Sequence, residues 1–238
     1  MKKHFLASLI SVTFLASSTV LANEDHAAKA WTIEAWDQAV AEKPQGDIAR
    51  GKKLHSYGLC ITCHGENGVA PSRNAPNLAA STELYTYKQL MDYHSALRNE
   101  SDGKAEVMHA ATIPMSKQDM ADLAAFYAAQ KLPAPKEQYT APANIIKLVR
   151  HGDMTNRMIT ACASCHGVHG EGRGFTPALA GQKASYFIRT MLNYKQGKRT
   201  NDIDEGMSQF AKDLSDDEIK ALAEYYAHLT PKNPAGKE

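Results

Sequence analysis

Apolar residues recur every three or four positions near the end of each half of the chain. They are Met120, Leu123, Ala124 and Tyr127 in the first half and Ile219, Leu222, Ala223 and Tyr226 in the second. This spacing places side chains on one face of an α-helix. Ser116 and Ser215 stand where helix N-caps are expected, and Ser215 with Glu218 forms a full capping box. The pattern predicts a final amphipathic helix in each half.

Other segments also follow helical rather than alternating patterns. The ranges 84–97 and 185–197 each predict a second helix. The ranges 47–59 and 145–161 each predict a helix that leads into a cysteine motif. Little of the chain alternates with the period of two that a half-buried strand needs. The predicted fold class is therefore all-α.

The two halves repeat one another in sequence. The matched pairs include Pro76 with Pro177, Tyr85 with Tyr186, Tyr93 with Tyr194, Met108 with Met207 and Tyr127 with Tyr226. A repeat of this length indicates two copies of one domain. We expect a first domain at 47–136 and a second at 137–238, joined near Pro133 and Pro135, because prolines there stop a helix.

Residues 1–22 carry the pattern of a secretion signal. Lys2 and Lys3 precede an apolar stretch, and Ala22 provides a small residue at a cleavage point. The alternative is an uncleaved membrane anchor, which the serines and threonines of this stretch disfavour. The prediction is export to the periplasm.

Residues 23–46 form an N-terminal extension that lies outside the repeats. It contains both tryptophans, Trp31 and Trp36, and Pro44 ends its helical pattern. Ile33, Trp36 and Val40 share one helical face. This extension is either a helix clasped against the domains or a docking element for a redox partner. Docking would also leave peripheral association with a membrane surface open.

The composition limits the class of protein. The chain has 238 residues, of which 43% are hydrophobic and 22% charged, with a formal net charge of +1. These values are ordinary for a soluble globular protein. The near-zero net charge gives no support for nucleic-acid binding.

The four cysteines fall into two C-x-x-C-H motifs, Cys60–His64 and Cys162–His166. The two thiols of such a motif can add to the vinyl groups of one haem, and the adjacent histidine can bind its iron. Disulfides or a dithiol redox site would leave each histidine unexplained. Zinc would have only three neighbouring ligands at each site. The duplicated motif therefore predicts two haem groups.

At this point the chain resembles class I cytochromes c and, in particular, the two-haem cytochrome c4 family, over residues 47–232. The residues that carry the resemblance are Cys60, Cys63, His64, Pro76 and Met108, with Cys162, Cys165, His166, Pro177 and Met207. The resemblance implies two tandem cytochrome c domains, one covalent haem c in each, and iron held by histidine and methionine. It also implies that the carbonyls of Pro76 and Pro177 accept the ring N–H of the axial histidines. The extension is longer than the family usually has.

The sixth iron ligand has several candidates in the first domain, namely Met91, Met108, Met115, Met120 and His109. The second domain offers Met191, which lies on an apolar helical face, and Met207. Leu214 and Ile219 stand where the first domain has Met115 and Met120, so those positions do not require sulfur. Only Met108 and Met207 match one another, and they are our predicted ligands.

Two further pairs of matched positions suggest structural roles. Arg98 and Arg199 are candidates to pair with haem propionates, because guanidinium matches carboxylate geometry. The alternative is that both arginines are solvated residues at the ends of helices. Gly51 and Gly152 are expected to allow the first and last helices of each domain to cross closely.

The predicted function is transfer of single electrons between redox proteins, a dehydrogenase as donor and an oxidase or reductase as acceptor. No catalytic residue is predicted. The rivals are a haem enzyme, such as a di-haem peroxidase or a thiosulfate-oxidising cytochrome, and an electron-transfer subunit of a dehydrogenase complex. An enzyme would need an open iron face, whereas each domain here offers a methionine to close it.

Overall fold

A computed structural model describes residues 30–101 and 103–232 of the chain. The predicted signal peptide, residues 1–22, lies outside the described residues. The described part contains eleven α-helices, one short 3-10 helix and no β-sheet. The all-α prediction is confirmed. Within the same ranges, no helix has both the length and the hydropathy needed to cross a membrane.

The helices follow the order of the repeat. The extension contains α1, and the predicted first domain contains α2 to α6, at Ile33–Ala41, Ile48–Tyr57, Cys60–His64, Glu83–His94, Lys104–Thr112 and Lys117–Ala128. The second domain contains α7 to α11, at Ala143–His151, Cys162–His166, Ala184–Lys195, Ser208–Ala211 and Asp216–Ala227. The 3-10 helix, Ile203–Glu205, precedes α10.

The core of the first domain lies where α2 and α4 pack against α6. Every predicted apolar position of α6 is buried, including Leu123 and Tyr127. Gly51 of α2 lies at the crossing with α6, where an added Cβ would be 2.1 Å from the carbonyl oxygen of Asp122. The predicted close approach at Gly51 is therefore present, because only a residue without a side chain fits there.

The core of the second domain lies between α9 and α11. It buries Ile219, Leu222 and Tyr226 of α11 with Phe187 of α9 and Ile145 of α7. Burial of each large apolar side chain is worth roughly 1.5–3 kcal/mol relative to its exposure. The two domains thus bury the same face of their final helix.

Both final helices begin with a full capping box. Ser116 and Asp119 bond reciprocally at α6, as Ser215 and Glu218 do at α11. The sequence had predicted a full capping box only at Ser215. The shorter aspartate reaches the backbone N–H of Ser116 at 2.8 Å, which satisfies one of the free N–H groups at the helix start.

The helix predicted over 145–161 is shorter than expected. It ends at His151, and Gly152 adopts a positive φ of 71°. Residues 153–159 then form a closed turn, in which Asp153 and Ile159 form a β-bridge. A Cβ on Gly152 would lie 2.3 Å from the carbonyl oxygen of Ile159 in this turn, not against α11. The prediction that Gly152 serves a helix crossing is therefore wrong.

Residues 23–29 of the extension lie outside the described residues, and its described part, residues 30–46, lies against the domains. Trp36 of α1 is 1% exposed and belongs to the core cluster of the first domain. Its ring also meets Phe175 of the second domain edge-on, with centroids 6.2 Å apart. These contacts favour the clasped helix over a docking element, because the large aromatic surface is already covered.

Candidate haem sites

One continuous cavity of about 770 Å³ runs between the two domains and reaches both cysteine motifs. Its wall includes His64, His166, Met108 and Met207, together with all four cysteines. Much of the remaining wall is apolar, from Leu78 and Leu90 on one side to Leu179 and Phe187 on the other. The residues singled out from the sequence therefore surround one space.

The two histidines are held in the same way. His64 and His166 are each 6% exposed at the ends of the short helices α3 and α8. Nδ1 of His64 lies 3.0 Å from the carbonyl oxygen of Pro76, and Nδ1 of His166 lies 2.9 Å from that of Pro177. A carbonyl only accepts, so Nδ1 carries the hydrogen and Nε2 of the neutral ring keeps a lone pair. Burial lowers the pKa of both imidazoles, which favours this neutral form.

The loop that follows each motif brings the proline back under the histidine. The carbonyl oxygen of Gly68 accepts the N–H of Leu78 at 2.7 Å, and Gly170 accepts that of Leu179 at the same distance. These bonds lie two residues after each proline. They fix the carbonyl that orients the imidazole, as second-shell acceptors do at other metal sites.

The cysteines occupy one helical turn beside each histidine. Cys63 and Cys165 are exposed, whereas Cys60 and Cys162 are partly buried, and no disulfide joins any of these four described residues. Burial raises the pKa of the Cys60 thiol, and raises that of Cys162 to about 11. Each motif thus presents two thiols and one imidazole to the same cavity.

The candidate methionines lie in the domain cores, on the cavity wall or, as Met115 and Met191 do, at both. Met120 is 2% exposed in the core of the first domain, and Met91 packs against that core. Met108 on α5 and Met207 at the start of α10 line the cavity. Met115 and Met191 also line it, as does Leu214, the counterpart of Met115. The rival ligand His109 is not part of this wall, and its Nδ1 lies 2.6 Å from the carbonyl oxygen of Tyr93.

The two candidate arginines are buried and are not solvated helix ends. Arg98 is 4% exposed and Arg199 is 2% exposed. Both donate to Oε1 of Gln89, at 2.7 and 3.0 Å. Each also reaches a tyrosine hydroxyl of the other domain, Tyr186 for Arg98 and Tyr85 for Arg199. The duplicated tyrosines are therefore interface residues, a role that their conspicuous pairing in the repeat could have suggested.

This interface carries an excess of positive charge. Glu100 is the carboxylate that pairs with Arg98, whereas Arg199 bonds the neutral side chain of Asn201. Nη1 of Arg199 is buried without a hydrogen-bond partner. Burial acts to raise the pKa of Tyr186, but the two guanidinium groups outweigh it and hold that pKa at about 7. A carboxylate placed in the cavity would satisfy both the charge and the free donor.

These features fit haem c. The apolar cavity suits the ring, the paired thiols suit its two vinyl groups, and the free Nε2 of each histidine suits its iron. The buried arginines suit propionate carboxylates.

The profile of the cytochrome c family, described as "Cytochrome c", matches residues 48–130 and 156–230. The chain is 35% identical over 190 residues to cytochrome c4 of Pseudomonas aeruginosa, a match that covers 77% of this chain and 89% of that protein. The chain belongs to the cytochrome c4 family. The reduced recombinant cytochrome c4 from Pseudomonas stutzeri has the same fold, with a TM-score of 0.64 and 31% identity over 77% of this chain and 99% of the other.

A protein named thiosulfate dehydrogenase electron acceptor, from Stutzerimonas stutzeri, is 32% identical over 202 residues. That match covers 79% of this chain and 90% of the relative. Like other cytochromes c4, this member has two cytochrome c domains, binds two haem c groups through its C-x-x-C-H motifs, and transfers electrons. The predictions of family, fold class, cofactor and general function are confirmed.

Proposed function

We propose that this cytochrome c4 is a periplasmic carrier of single electrons, in which His64 and Met108 would hold the iron of one haem and His166 and Met207 that of the other. The observation that carries the proposal is the matched arrangement of each site. In both domains a histidine with a free Nε2 shares a cavity with a methionine from a different helical element. Histidine and methionine together leave an iron with no open face and raise its potential.

The chain's own groups have separate tasks. When bound, each haem supplies an iron that alternates between Fe(III) and Fe(II). The carbonyls of Pro76 and Pro177 hold the hydrogen on Nδ1 and so keep Nε2 available to the metal. Arg98 and Arg199 would pair with the propionate carboxylates, and the apolar wall would keep water away from the haem, so that a change of charge would require little reorganisation of solvent.

The methionine assignment is tested by substitution in the haem-loaded protein. We expect Met108→Ala and Met207→Ala each to remove one of the two Met–Fe(III) contributions to the far-red absorption band, about half of its intensity. Met120→Leu is the matched control, since Met120 lies in the core. If Met115→Leu rather than Met108→Ala removes a contribution, the assignment in the first domain is wrong.

An enzyme with an open iron face is the principal rival, and ligand binding separates the two. With both methionines bound, the reduced wild-type protein should take up carbon monoxide slowly and incompletely, because a ligand must first leave. Met207→Ala should bind it rapidly at one haem. Rapid binding by the wild-type protein, without any substitution, would favour an enzyme such as a di-haem peroxidase.

The partners in this proposal are a dehydrogenase as donor and an oxidase or reductase as acceptor. The name of the Stutzerimonas stutzeri relative supports a dehydrogenase donor. The predicted signal peptide supports the periplasm as the place of contact. Purification from its native cells tests both, through the mass of the mature N-terminus in the periplasmic fraction. A dehydrogenase recovered in stoichiometric amount would favour a fixed subunit over a free carrier.

A further inference from the structure

The N-terminal extension joins the two domains at a buried charged group. Nε1 of Trp31 lies 2.5 Å from Oδ1 of Asp92, to which it donates. Asp92 is fully buried on α4, and its other oxygen accepts from Lys88 and from Asn201 of the second domain. Lys88 also lies over the Trp31 ring, 5.8 Å from its centroid. Trp31 thus ties the extension to a buried carboxylate whose two oxygens are both hydrogen-bonded.

From this anchor the extension reaches the loop 202–207 of the second domain. The N–H of Asp204 donates to the carbonyl oxygen of Trp31 at 3.1 Å. In return, the N–H of Ile33 donates to Oδ2 of Asp204 at 3.1 Å. Ile203 is 8% exposed and belongs to the same buried cluster as Trp36. Two hydrogen bonds and one apolar contact thus fix this loop to the extension.

The regular structure of this loop is limited to the three-residue 3-10 helix Ile203–Glu205. Asp204 and Glu205 have positive φ values of 46° and 55°. Such backbone persists in residues other than glycine only where the surroundings hold it. The backbone N–H of Met207 donates to Oδ2 of Asp202 at 2.9 Å, so the methionine is tied to the same turn. A change in the position of residues 202–205 would be transmitted to Met207.

The first domain supports its methionine differently. Met108 lies in the middle of α5, a helix of nine residues. Its backbone is held by the bonds of that helix and by Thr112, whose hydroxyl donates to the Met108 carbonyl oxygen at 2.9 Å. The hydrogen bonds given for Trp31 and Ile33 go to Asp92 of α4 and to Asp204, on the side of the second methionine. Met207 is therefore the methionine whose position depends on the extension, and Met108 is held by its own helix.

We propose that residues 30–41 are a brace that holds Met207 in position to bind the second haem iron, with Trp31 and Asp204 as its positioning residues. This inference rests on the proposed assignment of Met207. The brace is anchored on the first domain and acts on the ligand loop of the second. Separation of the domains and release of Met207 are consequently coupled events.

The test uses the haem-loaded full chain with Trp31→Phe and Asp204→Gly, alone and combined. Phenylalanine keeps an aromatic ring but loses the donor to Asp92. Glycine keeps the left-handed backbone but loses the acceptor for Ile33. Asp204→Asn is the rescue variant, because it retains an oxygen and tolerates positive φ. Lys117→Met is the control, since it breaks the exposed Lys117–Glu42 pair at the C-terminal end of α1, away from Trp31 and Asp204.

The readouts are the axial-methionine methyl resonances of the reduced protein, the potential of each haem and the rate of carbon monoxide binding. We expect the combined variant to broaden or lose the Met207 resonance and to leave the Met108 resonance in place. Carbon monoxide should bind the second haem on the order of fivefold faster for each hydrogen bond lost. Asp204→Asn and Lys117→Met should behave as the wild type.

Two results would overturn the brace. One is an unchanged Met207 resonance and potential in the combined variant. The other is an equal response of both haems, which would indicate general loosening of the fold. The assignment of the resonances with Met108→Ala and Met207→Ala keeps the proposals separate. If Met207→Ala removes neither resonance, the ligand assignment fails; if it removes one and the brace variants do not affect it, only the brace fails.

Discussion

The two domains share one plan but support their parts by different means. In the first domain, α5 carries Met108 within nine helical residues. In the second, the 3-10 helix Ile203–Glu205 and the four-residue α10 replace that helix around Met207. A self-supported helix and a loop held from outside therefore present the same type of side chain to the same cavity. A duplicated domain can keep its chemistry while its local support changes.

A second difference concerns the start of each final helix. The acidic residue of the capping box, Asp119 in α6 and Glu218 in α11, pairs with an arginine in both domains. The arginine comes from helix α2 in the first domain, as Arg50, and from the turn after α7 in the second, as Arg157. The ion pair is retained although the backbone that delivers it has changed. The ion pair at the start of the last helix is therefore common to both domains, whereas the element that supplies the arginine differs.

The largest expected effect comes from the close crossing of α2 and α6 at Gly51. Gly51→Ala would place a Cβ 2.1 Å from a backbone oxygen of α6, so the helices must separate. We expect the free energy of unfolding of the first domain to fall by about 3 kcal/mol. Calorimetry of the haem-loaded protein should then show the first domain melting before the second. Lys52→Ala, on the exposed side of α2, is the control and should leave the melting temperature unchanged.

A smaller effect on the free energy of unfolding is expected from the matched tyrosines Tyr127 and Tyr226, whose hydroxyl groups differ in their partners. The Tyr127 hydroxyl lies 2.8 Å from Nδ1 of His55, whose Nε2 lies 2.9 Å from the carbonyl oxygen of Gly65. Since that carbonyl only accepts, Nε2 carries the hydrogen and Nδ1 accepts from the tyrosine. Burial lowers the pKa of His55, which keeps it neutral. Tyr226 has no nitrogen or oxygen partner among the described residues.

We therefore expect Tyr127→Phe to lower the free energy of unfolding by roughly 1–2 kcal/mol, because it leaves a buried nitrogen unpaired. Tyr226→Phe should be neutral or stabilising, since its buried hydroxyl gains little in the native protein. Denaturant titration of both variants measures the difference. Equal losses in the two domains would show that the His55 hydrogen bond does not distinguish them.

The smallest effect is a dependence of stability on pH at the Arg157 ion pair. Arg157 holds the pKa of Glu218 below its ordinary value of 4.5. Glu218 thus contributes stability that is fully present above that value and is lost as the pH falls through its lower folded pKa. We expect Arg157→Met to cost about 1 kcal/mol near neutral pH and progressively less in acid. Lys52→Ala, on the exposed side of α2, is the control at each pH. A cost for Arg157→Met that is independent of pH would exclude this linkage.

Several features of the protein followed from local sequence signals. The C-x-x-C-H motifs, the apolar face of each final helix and the serine caps depend on neighbours within a few residues, and the repeat is visible when the two halves of the sequence are compared. Helices predicted at 84–97 and 185–197 occur at Glu83–His94 and Ala184–Lys195. Such features can be predicted from sequence because helical periodicity and capping depend on residues within one or two turns of the chain.

Other features were decided only by the tertiary structure. The sequence alone could not show that Arg98 and Arg199 meet over Gln89, that α7 stops at His151, or that Trp31 reaches both Asp92 and the turn at Asp204. Each of these depends on groups that are far apart in sequence and become neighbours only when the domains pack. Burial of a charge or an indole N–H costs free energy unless the group is hydrogen-bonded or paired. The partner comes from a distant part of the chain, so only the folded structure provides it.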